Sequence, residues 1–313
     1  MKIKDKTRGM FVGLAIGDAL GAPIEFCSSS LVSTEMHKVR HMHDTAVFPK
    51  GVWTDDTSMA LCIADSLLEC GGYNSYDVMD KYLDWYLHGY RSFFNYGNGI
   101  GNQVRQALGD YRKPIVKKVE YTDRAGNGTL MRLAPVVIAT RKHPDLVMVR
   151  VSALETHFCH EVEAVTEMFA NALYAALSGA DKDAVIQAVF DNLTSPKLNK
   201  IRDRLKPAME RCNSHKGTEL KDLGGYCVDT LAIALWGLKQ FDDFKYGMLG
   251  VLSLGGDTDT NAAVYGQLAG AYYGYDAIPE EWRKDVYQGA ELVKIADDLY
   301  KMKKCPILKT RFE

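Results

Sequence analysis

The chain has 313 residues, of which 47% are hydrophobic and 25% charged, and its formal net charge is −2. This composition is typical of a folded globular protein and provides no broad basic field, so we expect neither nucleic acid nor a membrane as a partner. Seven scattered cysteines without a Cys-x-x-Cys pair favour reduced thiols and a cytoplasmic location over a disulfide framework or zinc ribbon. Because Asp18 interrupts the first apolar stretch, we expect neither a signal peptide nor a membrane span there.

Helical periodicity begins near the start of the chain. Residues 8–25 are predicted to form the first helix, which Pro23 ends. Each glycine lowers helix propensity by about 1 kcal/mol, so the stripe of four in this helix needs compensation. We expect that compensation from close backbone packing at the centre of a helical core. The four residues, which recur at every fourth position and share one face, are Gly9, Gly13, Gly17 and Gly21.

Residues 27–51 are polar and are interpreted as an irregular loop. Three histidines in this loop have a spacing that a transition metal could use, although a mobile loop is the simpler interpretation. They are His37, His41 and His43. Helical patterning resumes over residues 54–69 and again over residues 76–88.

Two glycine-rich segments come next, and each precedes a predicted helix. Glycines before a helix N-terminus allow a phosphate to approach the backbone closely, but a simple tight turn is the alternative. A dinucleotide-binding strand-turn-helix is disfavoured, because helical rather than strand patterning precedes the first segment. The first segment is Gly97, Asn98, Gly99, Ile100 and Gly101, and the second is Gly126, Asn127, Gly128 and Thr129.

The second half of the chain is also predicted to be helical. A long amphipathic helix follows the segment Thr156-His157-Phe158-Cys159-His160 and extends to residue 177. The His-x-Cys-His group could be half of a metal site, but it has no matching partner group. No strand alternation, internal repeat or linker is recognised, so we predict an all-α fold with residues 1–313 in one compact domain. The remaining predicted helices cover residues 181–192, 198–211, 230–238, 245–254, 260–275 and 281–303.

Two acidic clusters stand at predicted helix starts, Trp53-Thr54-Asp55-Asp56-Thr57-Ser58 and Gly255-Gly256-Asp257-Thr258-Asp259-Thr260. Their carboxylate and hydroxyl oxygens suit Mg²⁺, Mn²⁺ or Ca²⁺ rather than Zn²⁺. Asp and Thr are also good helix caps, so a capping role stays open. Four carboxylates held close together repel each other unless cations offset their charge. We therefore interpret the clusters as two halves of one binuclear metal site.

The same segments resemble the ADP-ribosylglycohydrolase family, which includes the dinitrogenase-reductase-activating glycohydrolases. The matching motifs follow one another in the family's order between about residue 8 and residue 275, and several motifs in order are far more specific than one. They are Gly13-Leu14-Ala15-Ile16-Gly17-Asp18-Ala19-Leu20-Gly21 with Glu25, Trp53-Thr54-Asp55-Asp56-Thr57, Gly126-Asn127-Gly128 before Met131-Arg132, Thr156-His157, and Gly255-Gly256-Asp257-Thr258-Asp259-Thr260.

The resemblance implies an orthogonal all-α bundle that holds two Mg²⁺, or Mn²⁺, in a central cleft. It implies that an ADP-ribosylated protein is the substrate and ADP-ribose the product. The implied metal ligands are Thr54, Asp55, Asp56, Asp257, Asp259 and Thr260. Glu25, Asp55 and Asp259 are the implied catalytic residues, and both glycine-rich segments with His157 are the implied binding residues for ADP-ribose.

We expect this hydrolase to act on arginine-linked ADP-ribose, but one departure leaves the linkage open. Many members similar to the nitrogenase-regulating enzymes carry Phe-Asp-Ile-Gly where this chain has Asn98-Gly99-Ile100-Gly101. The Tyr-Gly-x-Gly form found here looks more like the members that release serine-linked ADP-ribose. Hydrolysis of a serine linkage or of O-acetyl-ADP-ribose is therefore an alternative. A binding or structural relative without turnover is another.

Overall fold

The computed structural model describes residues 2–112, 120–191, 203 and 220–312. Within these ranges the chain forms fourteen α-helices, a 3-10 turn at Ala22–Ile24 and two short strands, so the all-α prediction is confirmed. The helices are α1 (Ile3–Gly21), α2 (Ser29–Val39), α3 (Asp55–Cys70), α4 (Ser75–His88), α5 (Asn102–Tyr111), α6 (Ala134–Thr140), α7 (Leu146–Leu154), α8 (His160–Ser178), α9 (Lys182–Ala188), α10 (Cys227–Gln240), α11 (Phe244–Leu252), α12 (Thr258–Tyr273), α13 (Glu280–Asp285) and α14 (Gly289–Lys301).

Helices α1 and α12 form the centre of the fold. Every residue from Gly9 to Gly21 in α1 is buried, and so is every residue from Thr258 to Ala271 in α12. A helix that is buried on all sides lies inside a core rather than on its surface. Among the described residues, buried apolar side chains from α1 through α14 belong to one hydrophobic cluster.

The glycine stripe of α1 lies directly against α12, as the spacing predicts. A Cβ atom added to Gly13 would overlap the carbonyl oxygen of Gly266, and one added to Gly266 would overlap the carbonyl oxygen of Gly13. The same reciprocal fit joins Gly9 to Gly270. The two backbones are therefore in direct contact, and no side chain separates them.

Three local expectations are wrong or lie outside the described residues. Residues 27–51 are not entirely irregular, because they contain α2, whose N-cap Ser28 accepts a hydrogen bond from the amide of Leu31. The predicted helix over 281–303 is broken into α13 and α14, because Gln288 adopts a left-handed backbone conformation with φ of 51°. The predicted helix over residues 198–211 lies outside the described residues.

The two strands, β1 (Tyr73–Asn74) and β2 (Ile307–Lys309), pair in parallel. They were not predicted, because strands this short show no alternation of apolar and polar residues. Within the described residues no single helix is long and apolar enough to cross a membrane. The segments Ile3–Ile24 and Ser29–Val39 pass the same test of length and composition only as a pair, across a bend of 119°.

The contact between α1 and α12 predicts that an alanine substitution destabilises the protein at a glycine in this contact but not at a glycine outside it. Gly13→Ala should lower the free energy of unfolding by about 1–3 kcal/mol, because the new methyl group has to push the two backbones apart. Gly109→Ala is the matched control, since Gly109 lies in α5 and no atom of the described residues comes within 4 Å of an added Cβ. Its alanine variant should gain about 0.5–1 kcal/mol. Urea unfolding of both variants measures the difference, and equal stabilities would contradict the backbone contact.

Candidate functional site

A cleft of about 510 Å³ opens at the end of α1 and α12 where both acidic clusters lie. Its walls come from seven separate stretches of the chain, so only the folded protein assembles it. The lining residues are Glu25, Phe26, Asp55, Gly99, Ile100, Gly101, Asn102, Gln103, Val104, Gly126, Asn127, Gly128, Met131, His157, Gly225, Asp257, Asp259 and Thr260.

Asp18 of α1 fixes the first acidic cluster in place. One oxygen of its buried carboxylate accepts hydrogen bonds from the amide and the hydroxyl of Thr54, each at 2.8 Å. The other accepts from the amide of Thr57 at 2.9 Å and from its hydroxyl at 2.7 Å. Four donors thus satisfy Asp18 completely, and its role is to hold the N-terminus of α3. Asp55, the first residue of α3, thereby lines the cleft, and Asp56 lies buried behind it.

The second acidic cluster is held by close backbone packing. An added Cβ on Gly21, the last residue of α1, would overlap the backbone of Asp259. The hydroxyl of Thr258 donates to the carbonyl oxygen of Gly21 at 3.0 Å. Gly255 and Gly256 both have positive φ, which allows the sharp turn into α12. The turn places Asp257 and Asp259 opposite the start of α3.

The carboxylates of Glu25, Asp257 and Asp259 come together in this cleft. Each offers one oxygen atom, and the three oxygens lie within 4.8 Å of one another. Asn127 donates its side-chain amide to Oδ2 of Asp257 at 2.9 Å, which orients that carboxylate. This cluster could hold a metal ion. Within the described residues no such ligand set forms from the three histidines near residue 40, or from His157, Cys159 and His160.

Electrostatics explain why a cation fits here. Burial raises the pKa of Asp55 to about 8, and the nearby charges of Asp18, Glu25 and Asp257 add to the rise. Burial and Asp257 raise the pKa of Glu25 to about 7. Burial, followed by neighbouring carboxylates, likewise raises the pKa of Asp56 and of Asp259. Each shift combines the cost of burying a charge with repulsion between carboxylates, and a bound cation would offset both.

One oxygen of the first cluster lacks a protein partner. Oδ1 of Asp56 is buried and accepts no hydrogen bond from the described residues. An orphaned buried carboxylate oxygen is costly unless a donor or an ion meets it. The donor set of carboxylate and hydroxyl oxygens is the set that a hard divalent cation prefers. The residues present therefore fit a metal of this kind.

The two glycine-rich segments lie beside each other along one wall of the cleft, and Gln103 joins them. Its Oε1 accepts from the amide of Gly126 at 3.1 Å, and its Nε2 donates to the carbonyl oxygen of Arg124 at 2.9 Å. Gly101 is the N-cap residue of α5, so the first turn of this helix opens into the cleft. Free amides at a helix N-terminus favour an anion such as a phosphate.

A buried chain of hydrogen bonds orients His157. Arg132 donates to the hydroxyl of Thr156 at 2.6 Å, and this hydroxyl lies 2.7 Å from Nδ1 of His157. A hydroxyl that accepts from a guanidinium still has its own proton to give, and Nδ1 receives it. With the Thr156 hydroxyl as the donor to Nδ1, the remaining proton of the imidazole is on Nε2. Burial and Arg132 lower the pKa of His157 to about 3, so the ring is neutral at physiological pH.

Not every predicted site residue lines the cleft. Thr54 and Asp56 lie behind its wall as part of the first acidic cluster, and Thr129 is buried with its hydroxyl 2.7 Å from that of Thr166. Gly97 and Asn98 lie outside the lining, which begins at Gly99. The other predicted residues line the cleft, namely Glu25, Asp55, Gly99, Ile100, Gly101, Gly126, Asn127, Gly128, His157, Asp257, Asp259 and Thr260.

Sequence reasoning assigned no role to two residues that organise the site. Asp18 had a signal, because an isolated acid in an otherwise apolar helix needs buried donors. Gln103 had none, since a polar residue in the first turn of an amphipathic helix is ordinary.

The fold and the site together define a class. This is an all-α protein with an acidic cleft suited to a hard cation, beside loops suited to a phosphate-bearing ligand. The chain belongs to the ADP-ribosylglycohydrolase family, whose family model matches residues 1–306. This membership confirms the resemblance carried by the motifs and the predicted enzyme class, a hydrolase of glycosidic bonds.

Several relatives match over nearly the whole chain. ADP-ribosylarginine hydrolase Tri1 of Pseudomonas putida (strain GB-1) is 34% identical over 305 residues, which cover 95% of this chain and 78% of the relative. The protein of the same name from Serratia proteamaculans (strain 568) is 32% identical over 306 residues, which cover 95% of this chain and 80% of the relative. A solved structure named ADP-ribosylglycohydrolase-related protein complex matches with a TM-score of 0.78 and 38% identity, covering 96% of this chain and 99% of that one.

The neutral state of His157 predicts an acid-sensitive contribution to stability. The folded protein keeps the ring unprotonated, whereas the unfolded chain takes up a proton below its ordinary pKa of about 6.5. Stability is therefore lost as the pH falls from 6.5 toward 3, by about 2 kcal/mol between pH 7 and pH 5. His157→Gln should remove this loss, so the gap in unfolding free energy between wild type and variant should narrow at pH 5. The exposed His143→Gln serves as the control, and a gap that stays constant with pH would contradict the prediction.

Proposed function

We propose that this protein is a Mg²⁺-dependent hydrolase that removes ADP-ribose from arginine side chains of modified proteins. The observation that carries the proposal is the meeting of two acidic clusters, about two hundred residues apart in sequence, at the floor of a cleft with glycine-rich walls. A cleft of about 510 Å³ is in the range that encloses a ligand of nucleotide size.

Six side chains would hold two Mg²⁺, or Mn²⁺, in this site. Thr54, Asp55 and Asp56 approach from the start of α3, and Asp257, Asp259 and Thr260 approach from the start of α12. When bound, the metals supply Lewis-acid stabilisation and orient the reacting groups. The repulsion among the buried carboxylates and the free oxygen of Asp56 support this assignment.

The remaining steps fall to side chains of this chain. Hydrolysis of a glycosidic bond develops positive charge on the sugar, and the carboxylates of Asp55 and Asp259 lie in the cleft where they would stabilise it. One of them would accept the proton of the attacking water. Glu25 is half-buried at the side of the cleft next to Asp257, where it would supply a proton to the departing side chain.

The opposite wall would bind the ADP-ribose diphosphate. The amides around Gly101 at the start of α5 and the segment from Gly126 to Gly128 lie beside each other there. An added Cβ on Gly128 would lie 3.0 Å from Cε1 of His157, so glycine leaves the imidazole edge uncovered. His157 would donate a hydrogen bond from Nε2 to a phosphate or ribose oxygen.

Arginine is the linkage that the relatives favour, since the two described above are named ADP-ribosylarginine hydrolases. One observation favours serine instead. Gly99 has φ of 87°, and an added Cβ would overlap Oδ1 of Asp55, so the loop leaves no room for the aspartate that many nitrogenase-regulating relatives carry. The site therefore requires glycine at position 99, the last residue of the Tyr96-Gly97-Asn98-Gly99 segment. The experiment must therefore compare both linkages.

The first test measures release of ADP-ribose from matched arginine-linked and serine-linked peptides, with Mg²⁺ and with EDTA. We expect release from the arginine-linked peptide with Mg²⁺ and none with EDTA. Asp55→Ala should keep the fold and lower this turnover by at least about a hundredfold, because it removes a ligand that also faces the sugar. Asp276→Ala, an exposed substitution beyond the far end of α12, should behave as wild type.

The other outcomes are equally informative. Release from the serine-linked peptide alone would overturn the arginine linkage and leave the hydrolase in place. Binding of ADP-ribose without release from either peptide, or from O-acetyl-ADP-ribose, would favour a non-catalytic relative. Full activity of Asp55→Ala would refute its assignment as a ligand.

Metal binding also has a readout that does not depend on turnover. A cation that binds only the folded state at a hundred times its Kd stabilises the protein by about 2.7 kcal/mol. Mg²⁺ should therefore raise the Tm of the wild type, and EDTA should reverse the rise. The double variant Asp55→Ala with Asp259→Ala should lose this response, whereas Asp276→Ala should retain it. A response of equal size in the double variant would place the metal elsewhere.

A further inference from the structure

Phe26 borders the cleft with its ring exposed, and the packing of the fold does not explain this position. Its ring is 71% exposed, although it borders the cleft next to Glu25. Its backbone is left-handed, with φ of 58°, a conformation that bulky residues rarely adopt. An exposed ring gains little from burial that could compensate for this strain. Strain held at a ligand site is a reason to look for a function.

Hydrogen bonds on both sides hold this conformation. The amide of Phe26 donates to the carbonyl oxygen of Gly256 at 2.7 Å, and the amide of Gly256 donates to the carbonyl oxygen of Cys27 at 3.0 Å. Further along, the amide and the hydroxyl of Ser29 both donate to the carboxylate of Asp222. The backbone of the segment is thus tied to the turn that carries Asp257, so the ring is attached at a held point beside the metal side of the cleft.

The ring has a free face. Among the described residues, no aromatic ring stacks on Phe26 and no cation lies over it. Its neighbours in the cleft are acidic, including Glu25, Asp257 and Asp259. A single exposed aromatic residue on a protein surface is common and means little. A ring that borders the cleft on a held backbone segment, with one face free, differs, because that face can stack on a planar cation.

We propose that the Phe26 ring is the docking face for the guanidinium group of the substrate arginine. The inference rests on the proposed function, and it names the residue that would distinguish an arginine linkage from a serine linkage. An arginine carries a planar cation next to the bond that breaks, and guanidinium groups stack on aromatic faces. A serine linkage offers only an ether oxygen and has no group for this face.

The interaction predicts a particular kinetic pattern. The guanidinium is present before and during reaction, so stacking contributes to substrate binding in the ground state and the transition state alike. Its loss should therefore raise KM and leave kcat nearly unchanged. We expect the KM for an arginine-linked peptide to rise about three- to thirtyfold, in keeping with the usual strength of a cation–π contact.

The test uses the full chain with Mg²⁺ and three variants. Phe26→Leu removes the aromatic face and keeps apolar bulk, and Phe26→Tyr retains the face. Tyr246→Leu removes another exposed ring, on α11, and is the matched control. For each protein, initial rates give KM and kcat on arginine-linked and serine-linked peptides, and competition gives the inhibition constant of free ADP-ribose.

Phe26→Leu should raise the KM for the arginine-linked peptide, while kcat, the serine-linked KM and the inhibition constant of ADP-ribose change less than about twofold. Phe26→Tyr and Tyr246→Leu should match the wild type.

No change in the kinetics of Phe26→Leu would overturn the proposal. Equal losses on both linkages would overturn it too, since they would assign the ring to the sugar or to the position of Glu25. A wild type that releases only serine-linked ADP-ribose overturns the arginine function and this inference together, whereas wild-type arginine release with an unaltered variant overturns the inference alone.

Discussion

The direct backbone contact between α1 and α12 is the constraint on which the rest of this structure depends. Gly13 and Gly266 leave the two helices no intervening side chains, so the two backbones meet directly in one observed register. The same contact continues to the helix ends, where Gly21 meets the backbone of Asp259. The register of a glycine stripe therefore decides where the second acidic cluster stands. In this fold, the packing of the core therefore also sets the geometry of the site.

The buried acids at this end of the molecule are of two physical kinds. Asp18 accepts four hydrogen bonds, two from Thr54 and two from Thr57, and thereby stabilises the start of α3. Asp56 keeps one buried oxygen without any donor among the described residues, and its neighbours are further carboxylates. A satisfied acid is an element of structure, whereas an acid surrounded by like charge is a site for a cation. Hydrogen-bond satisfaction thus separates residues that look alike in the sequence.

The buried and the exposed parts of the cleft have different roles in the proposed function. Helix starts present the buried acids, and the opposite side of the cleft holds the glycine-rich segments with the buried side chains of Asn127 and His157. The segment around Phe26 is different, because it is exposed and strained and lies where the modified side chain of a substrate would enter. The chemistry that the family shares would then depend on the buried acids and His157. The choice between arginine and serine linkages would depend on the exposed segment around Phe26.

The sequence by itself determined the all-α class, the packing of the glycine stripe and the chemical character of both acidic clusters, because periodicity and donor type are local properties. It was misleading where a tertiary contact overrides the local pattern. The break at Gln288 lets the amide of Tyr287 reach the carbonyl oxygen of Gly51, and Gly289 is the one local signal of it, which the prediction of a continuous helix did not use. Only the tertiary structure assigned Asp18 to the start of α3 and displayed Phe26 at the cleft. These roles depend on partners tens to hundreds of residues away, and a sequence pattern carries no information about which distant donor a side chain will meet.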